Sequence, residues 1–419
     1  MIERIHTSAI SRFVTMFTLI IAGEVVFFLP FVLPRVFRPT LLDVFAISNF
    51  ELGLAFSIYG VVAMIAYAPS GPLADRFSPR ALMAIALAGT SLGGFVAATL
   101  PSLTGLKFIY GFWGLTTILL FWAPLIRATR HWGGHELPGR AFGLLDGGRG
   151  LIAAMIASLS VYMFSALMPD DVQNASAQQR AAAFTQVVLL FSIATLLAAV
   201  LVWFALPRRD HTAGQTLEPA QQSRFWQVMR MPTVWLQAMI VVCAYVAYKG
   251  LDDVSLYAQV VLGLDEVQAA GVGTVALWVR PFGAIAAGFL ADRFGVVRMT
   301  VYSFAMIACG AVVLALGWIR PGMLTIFLAT LIPTCAAIFA LRGLYFAIME
   351  EGQVPIHATG TAVGIVSVIG YTPDVFMGPL MGYLLDNNPG TVGHQHLFWV
   401  IAAFASAGWL AALRFPRAA

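Results

Sequence analysis

Charged side chains stand inside several long apolar stretches of this sequence. The basic ones are Arg127, Arg149, Lys249, Arg280 and Arg342. The acidic ones are Glu24, Asp146, Asp252, Asp253 and Asp374. A charge at the centre of an apolar membrane segment costs about 2.5–3.5 kcal/mol on insertion scales, so each needs a partner of opposite charge or a water-filled cavity. Guanidinium and ammonium groups gathered in such a cavity are suited to binding an anion.

Two of these arginines have no acidic residue within one helical turn. Arg342 lies in Ala-Leu-Arg-Gly-Leu-Tyr-Phe, and Arg280 begins Arg-Pro-Phe-Gly-Ala-Ile-Ala-Ala-Gly. An unpaired guanidinium in an apolar segment favours a negatively charged substrate as its partner. The alternative for each is a structural ion pair with a distant acid such as Glu24 or Asp374.

Other charges have candidate partners nearby in the sequence. Asp146 and Arg149 are three residues apart and share a helical face, so they form either a structural bridge or half of a site. Lys249 stands in the same relation to Asp252 and Asp253. We expect Lys249 near the outer membrane face, where a lysine can extend its ammonium group to water.

Some carboxyl groups are candidates for carrying a proton. Glu24 and Asp374 lie in apolar stretches without adjacent bases, and removal from water favours the neutral form of a carboxyl group. Asp146 is the third candidate. The alternative is that one of these acids pairs with Arg342 or Arg149, which is compatible with a proton and a substrate competing for the same pair.

Two tyrosines and one further arginine complete the predicted substrate-binding set. Tyr345 lies three residues after Arg342, and Tyr248 precedes Lys249, so both are expected to line the cavity. Arg127 ends the fourth apolar stretch.

The composition defines the elements that must position these residues. Hydrophobic residues make up 60% of the chain and charged residues 11%, whereas about 25% charged is usual for soluble proteins. The mean hydropathy is +0.84. These values indicate an all-α membrane protein surrounded by lipid, and they exclude a soluble domain with a polar surface.

Other functional classes are disfavoured. The net charge is +4, but the basic residues are spread over short loops, so nucleic acid is not an expected partner. The three cysteines show no metal-ligand spacing, and neither a metal nor another cofactor is predicted. All histidines are expected in loops or tails, which argues against an enzyme. No phosphate-binding Gly-x-x-x-x-Gly-Lys-Ser/Thr loop is present, so an ion gradient must supply energy.

Apolar runs of about 20 residues predict twelve spanning helices. The first six are expected at 11–33, 51–74, 81–100, 104–126, 141–167 and 182–205. The second six are expected at 233–261, 264–291, 298–318, 321–347, 358–385 and 394–414. Residues 206–231 form a polar cytoplasmic linker between an N-terminal bundle (1–205) and a C-terminal bundle (232–419).

Arginine placement predicts the topology. Most arginines fall in the loops on the same side as both chain ends, so both termini are expected in the cytoplasm. The outer loops and helix ends are expected to hold Arg35 and Arg38.

A short motif occurs twice. Leu-Ala-Asp-Arg-Phe occupies residues 73–77 and returns at residues 290–294, 217 residues later. A repeat at half the chain length indicates two homologous halves. The motif resembles the loops after the second and eighth helices of major facilitator superfamily transporters. The resemblance implies twelve helices in two pseudo-symmetric six-helix bundles, with alternating access to a central site.

The same resemblance implies that the repeated loops form a cytoplasmic lock, which breaks and reforms during transport. The gating residues it implies are Asp75, Arg76, Arg80, Asp292 and Arg293.

Two further resemblances point to anions. The residues from Phe121 to Trp132, followed by Gly-Arg-Ala-Phe-Gly at 139–143, are similar to the fourth and fifth helices of organophosphate:phosphate antiporters. Arg280-Pro-Phe-Gly resembles nitrate-type porters, whose helix-8 arginine contacts substrate.

Together these features predict a proton-coupled importer of a small organic anion of the carboxylate, sulfonate or phosphate-ester type, acting as a monomer in a bacterial inner membrane. One alternative is a proton-driven efflux pump for lipophilic compounds, although the fifth helix lacks the Gly-x-x-x-Gly-Pro pattern of drug antiporters. The other alternative is a transporter-like sensor that signals through a partner.

Overall fold

The computed structural model describes residues 9–133, 138–207, 226–351 and 359–416. All regular secondary structure in these ranges is helical. Eleven of the described helices are long and apolar enough to cross a membrane, and a bent pair near the N-terminus makes twelve if it forms one span. Helices suit this role because they satisfy their own backbone hydrogen bonds where no water is present.

We label the spans in chain order. They are α1 (Ile10–Val25 with Phe28–Val36), α2 (Asn49–Arg76), α3 (Pro79–Ala97), α4 (Leu103–Gly133), α5 (Ala141–Leu167), α6 (Ala177–Ala205), α7 (Pro232–Val260), α8 (Glu266–Phe294), α9 (Val296–Ala315), α10 (Leu324–Leu344), α11 (Ala362–Asn387) and α12 (Thr391–Leu413). Each predicted stretch overlaps one of these spans, so the predicted fold class is confirmed.

Several spans are interrupted where they carry charge. α1 bends by 40° between Val25 and Phe28, immediately after Glu24. A 3-10 turn at Leu251–Asp253 interrupts α7 and contains Asp252. Such breaks leave backbone groups unpaired, and they are tolerated at membrane depth only where protein or water surrounds them.

Two further spans deviate from a regular α-helix. α11 is broken between Thr359–Gly370 and Pro373–Asn387, and Asp374 follows the break. α4 contains a π-helical stretch at Leu115–Trp122. The breaks in α1, α7 and α11 therefore place acidic side chains beside or within irregular backbone.

The described helices enclose two large hydrophobic cores and a small cluster between α8 and α10. One is built from residues between Met16 and Leu206 together with Ala270 and Leu277 of α8. The other extends from Val228 to Phe415. Most of the predicted linker, residues 208–225, lies outside the described residues.

Helices from the two chain halves pack closely, as α2 does against α11 and α5 against α8. A Cβ atom added at Gly53 of α2 would collide with the backbone carbonyl of Gly378 in α11. Glycine at both positions therefore permits the backbones to touch.

The halves are joined at the end of the molecule where α1 ends and α2 begins, which we call the closed end. Arg35 of α1 pairs with Asp252 of α7 at 2.6 Å, and Arg180 of α6 pairs with Glu266 of α8 at 2.6 Å. Asp386 of α11 also accepts hydrogen bonds from the backbone at the start of α2.

The opposite end, where the repeated loops lie, is called the open end. Asp75, Arg76, Asp292 and Arg293 are exposed there. Within the described ranges, no ion pair from either repeat reaches the other half. An atom added at Gly71 or Gly288, the residues that precede the motifs, meets nothing within 4 Å.

Arg35 and Arg38, which were predicted in outer loops or helix ends, both lie at helix ends. Their exposed fractions are only 3% and 1%. The chain after α1 does not extend into solvent but continues as a short helix, Arg38–Phe45. Arg35 is covered because its ion pair joins the halves, and Arg38 bonds to the side chain of Asn49 at 3.0 Å.

Candidate functional site

A central cavity lies between the two halves and contains about 960 Å³ of empty space, including the part open to solvent. It is lined by residues from α1, α2, α4, α5, α7, α8, α10 and α11. The charged residues in its wall are Glu24, Arg35, Arg149, Lys249, Arg280, Arg342 and Asp374. Aromatic rings make up much of the remaining surface, so the wall presents charge against apolar faces.

Glu24 holds two of the predicted arginines together. Its carboxylate lies 2.8 Å from Arg280 Nη1 and 3.1 Å from Arg149 Nε. Asp146, which is half exposed, lies 3.5 Å from Arg280 and 3.7 Å from Arg149. Arg280 therefore has carboxylate partners from α1 and α5, and its pair with Glu24 is the alternative that the sequence left open. Both arginines nevertheless face the cavity.

Arg342 has a different environment. Its guanidinium carbon lies 3.8 Å from the centroid of the Tyr248 ring and 5.9 Å from that of Tyr245. Within the described part of the chain, no carboxylate lies within the 4.0 Å that defines an ion pair for Arg342. Aromatic faces orient a guanidinium without neutralising it. Its hydrogen-bonding edge therefore pairs with none of the described carboxylates.

A second charged group lies between the cavity and the closed end. Asp252 accepts from Arg35 Nε at 2.7 Å and lies 3.0 Å from Lys249 Nζ. Lys249 also lies 3.7 Å from Asp374, whose carboxylate accepts a hydrogen bond from Tyr245 at 3.0 Å. Lys249 was expected to reach water at the outer face, but its side chain is only 2% exposed. Two carboxylates hold it inside the protein.

Tyr248 connects the two groups. Its ring lies against Arg342, and its hydroxyl accepts a hydrogen bond from Arg35 Nη1 at 3.0 Å. One side chain therefore contacts both Arg342 and the ion pair that joins the halves at the closed end.

Two predicted binding residues lie away from this cavity. Arg127 donates to the backbone carbonyl of Ala74 and lies 4.0 Å from Asp75, at the open end. Tyr345 is buried, and its hydroxyl lies 3.3 Å from that of Tyr371. Tyr371, not Tyr345, is part of the cavity wall.

The gating residues do not form a lock between the halves here. Asp75 faces Arg127 of its own half, and Arg80 is buried with its guanidinium 4.5 Å from the centroid of the Trp203 ring. Arg293 lies over the ring of its neighbour Phe294. The described structure thus has the open end unlocked.

One histidine does not lie in a loop or tail as expected. His394 is buried in α12, and its Nδ1 lies 2.7 Å from Asp253 Oδ2. The pair is away from the cavity wall, in the core near the closed end. No cluster of side chains among the described residues could hold a metal ion.

Sequence reasoning missed Arg35 and Tyr245 as parts of the site. Arg35 lies just beyond the first predicted span, 11–33, and was placed in an outer loop or helix end. One signal could have identified it. Arg35 and Asp252 are 217 residues apart, which is also the spacing of the repeated motif.

The fold and the site together define a class: a polytopic membrane transporter with a central cavity between two helical halves. The chain belongs to the Major Facilitator Superfamily, whose sequence profile matches residues 9–372. This membership identifies it as a transporter rather than an enzyme.

Two relatives in Escherichia coli (strain K12) cover nearly the whole chain. Inner membrane protein YqcE is 28% identical over 94% of this chain and 92% of its own length. Inner membrane protein YihN is 24% identical, covering 93% and 92%. A probable nitrate/nitrite antiporter, NarK1 of Thermus thermophilus, is 23% identical over 75% of this chain and 72% of its own.

Solved structures share the fold. A bacterial homolog of the human lysosomal transporter Spinster, in an inward-facing and unoccupied conformation, has a TM-score of 0.75 at 16% identity, covering 97% of this chain and 98% of its own. The xylose transporter XylE from E. coli, in an inward open conformation, has a TM-score of 0.72 at 15% identity, covering 97% and 96%.

Proposed function

We propose that this protein is a secondary active transporter of a small organic anion of the carboxylate, sulfonate or phosphate-ester type. The observation that carries the proposal is Arg342, a cavity guanidinium held by tyrosine rings and not neutralised by any described carboxylate. Arg149 adds a cationic edge from the facing half, and Arg280 adds one from the half that carries Arg342. The similarity to a protein named as a nitrate/nitrite antiporter supports an anionic substrate.

Orientation follows from arginine placement. With both termini in the cytoplasm, the closed end faces the periplasm, and the structure is an inward-open state. The two relatives named as inner membrane proteins support a bacterial inner membrane location. We assign residues 1–205 and 232–419 to the two moving bodies of a monomer, with residues 206–231 as their linker.

The coupling ion in this proposal is the proton, because carboxylates share the cavity with the substrate cations. Glu24, Asp146 and Asp374 each lie within 4 Å of a cavity cation. Binding of a proton at any of them changes the charge that the substrate meets. Inward movement of protons would then drive uptake.

The test is uptake into proteoliposomes with an acidic exterior. The panel contains lactate, succinate, methanesulfonate, 1,2-ethanedisulfonate and glycerol 3-phosphate, each radiolabelled. Wild-type protein should accumulate at least one of them. Arg342→Ala should reduce that uptake about 10- to 100-fold, since a charge-assisted hydrogen bond contributes about 1.5–3 kcal/mol. Arg342→Lys should retain part of it.

The matched control is Arg320→Ala, which removes an exposed arginine from the loop before α10. It should leave uptake unchanged. Equal uptake by wild type and Arg342→Ala would refute the anion site. Binding without accumulation would favour a sensor, and transport of a lipophilic compound instead of the anions would favour an efflux pump.

A further inference from the structure

The charges around the cavity do not balance. Its cations are Arg35, Arg149, Lys249, Arg280 and Arg342. The carboxylates in its wall, or paired with those cations, are Glu24, Asp146, Asp252 and Asp374. Among the described residues, five positive charges against four negative ones leave an excess of one, and Arg342 is the cation without a paired carboxylate.

An unbalanced charge becomes costly when the halves close around the cavity. In the inward-open state water can solvate it, but the occluded step of alternating access removes that water. Moving an uncompensated charge into a medium of low polarity costs several kcal/mol. The occluded protein is therefore most stable when substrate and protons bring the cavity to neutrality.

We infer that the loaded cavity is electroneutral: a monoanion binds alone, and a dianion binds together with one proton held on Asp374. This inference rests on the proposed anion-transport function and specifies the charge that the cargo carries. It makes the number of coupled protons a property of the substrate: none for a monoanion and one for a dianion.

Asp374 is the carboxylate least firmly held in its charged form. Glu24 contacts two arginines at 2.8 and 3.1 Å, and Asp252 lies between Arg35 and Lys249. Asp374 has one cation, at 3.7 Å, and accepts a hydrogen bond from a neutral phenol. The same phenol can accept a hydrogen bond from a protonated Asp374, so the site accommodates both forms.

The titratable and charged groups that face Asp374 come from three other spans. They are Lys249, Tyr245 and Asp252 of α7, Tyr59 and Tyr67 of α2, and Arg342 of α10. Tyr371 lies on its own span, beside Tyr245. Of these groups, Lys249 and Arg342 oppose protonation. Because an anion bound to Arg342 neutralises one of the two opposing charges, substrate and proton should bind cooperatively.

The test uses two probes whose own charge does not titrate: methanesulfonate, a monoanion, and 1,2-ethanedisulfonate, a dianion. Calorimetric titration of the purified full-length protein near neutral pH, in two buffers of different ionisation enthalpy, gives the protons bound per ligand. We expect about zero for methanesulfonate and about one for ethanedisulfonate. The infrared difference spectrum should show a carboxylic-acid band when ethanedisulfonate binds and none when methanesulfonate binds.

Asp374→Asn mimics the protonated residue. It should abolish proton uptake with ethanedisulfonate, remove the infrared band, and raise the affinity for the dianion relative to the monoanion by about 10-fold or more. Asp146→Asn likewise removes one negative charge beside the cavity, so it should also abolish proton uptake with ethanedisulfonate. Asp171→Asn, at an exposed residue bonded to Asn174, should behave as wild type.

Equal proton counts for the two sulfonates would overturn the inference, as would proton uptake that persists in Asp374→Asn. Failure of both sulfonates to bind would overturn it as well. These outcomes are distinguishable from failure of the proposed function, which requires that no panel anion shows Arg342-dependent uptake.

Discussion

Replacing Asp252 with asparagine should open the closed end. The carboxylate of Asp252 lies within 2.6–2.7 Å of two nitrogens of Arg35, and both side chains are only 4% exposed. The same carboxylate contacts Lys249 at 3.0 Å. Asparagine keeps the size of the side chain but leaves two buried cations facing a neutral amide.

The magnitude follows from the burial of this pair. Removing one partner of a buried ion pair costs about 3–5 kcal/mol, because the other charge is left without compensation. The cost falls on the state in which α1 and α7 meet, since separation of the halves lets water solvate Arg35. The ratio of closed-end-open to closed-end-closed molecules should therefore rise by about two to three orders of magnitude.

The assay is a distance measurement across the closed end by pulsed electron spin resonance. Spin labels at Ser102, in the loop before α4, and at Arg320, in the loop before α10, are both exposed and belong to different halves. Wild type should show mainly the short distance of the present structure. Asp252→Asn should show mainly a longer one, and its uptake should be slow because one state dominates.

The double variant Arg35→Gln with Asp252→Asn is the sharpest control. Replacing both members of a buried pair costs far less than removing one, so the double variant should recover much of the short-distance population. An Asp252→Asn protein with the wild-type distance distribution would refute the view that this ion pair holds the closed end. A double variant as open as the single one would assign the effect to Lys249 instead.

Three further predictions concern residues that lie where the halves meet. Tyr248→Phe should shift the same equilibrium by about 1 kcal/mol, through loss of one hydrogen bond, with anion affinity within about twofold of wild type. Tyr248→Leu, which also removes the ring beneath Arg342, should weaken anion binding in calorimetry by about 10-fold. Gly53→Ala should lower the thermal unfolding midpoint in detergent, because its added carbon overlaps the Gly378 carbonyl at a cost of about 1–3 kcal/mol. Gly71→Ala should leave this midpoint unchanged, because an atom added there meets nothing within 4 Å.

The fold could be predicted because its signals are local. A run of apolar residues identifies a span wherever it packs, and the repeated Leu-Ala-Asp-Arg-Phe motif identifies two halves without any knowledge of their contacts. The breaks in the spans were harder to predict from the sequence. Pro30 and Pro373 indicate irregular helices, but no proline marks the turn at 251–253 in α7.

Most charged residues of the candidate site could be predicted, as could its two local pairs, Asp146 with Arg149 and Lys249 with Asp252, but which distant groups meet could not. Glu24 and Arg280 are 256 residues apart, and the residues around either one do not identify the other as its partner. Arg342 was chosen because it lacks a nearby acid, and this property persists in the described structure. The same argument applied to Arg280 was misleading, because a local window cannot detect an acid that arrives from another helix.

One long-range pairing, however, follows from symmetry. Arg35 and Asp252 are separated by 217 residues, the same spacing as the repeated motif, so they occupy equivalent positions in the two halves. Equivalent residues near a pseudo-twofold axis approach each other, and opposite charges there form a contact that joins the halves. The internal repeat therefore indicates a contact between the halves as well as the fold. When one copy carries a base and the other an acid at matching positions in spans that meet at the axis, the sequence alone predicts an ion pair between the halves. In this protein that pair lies beside Tyr248, whose ring also contacts Arg342 in the cavity.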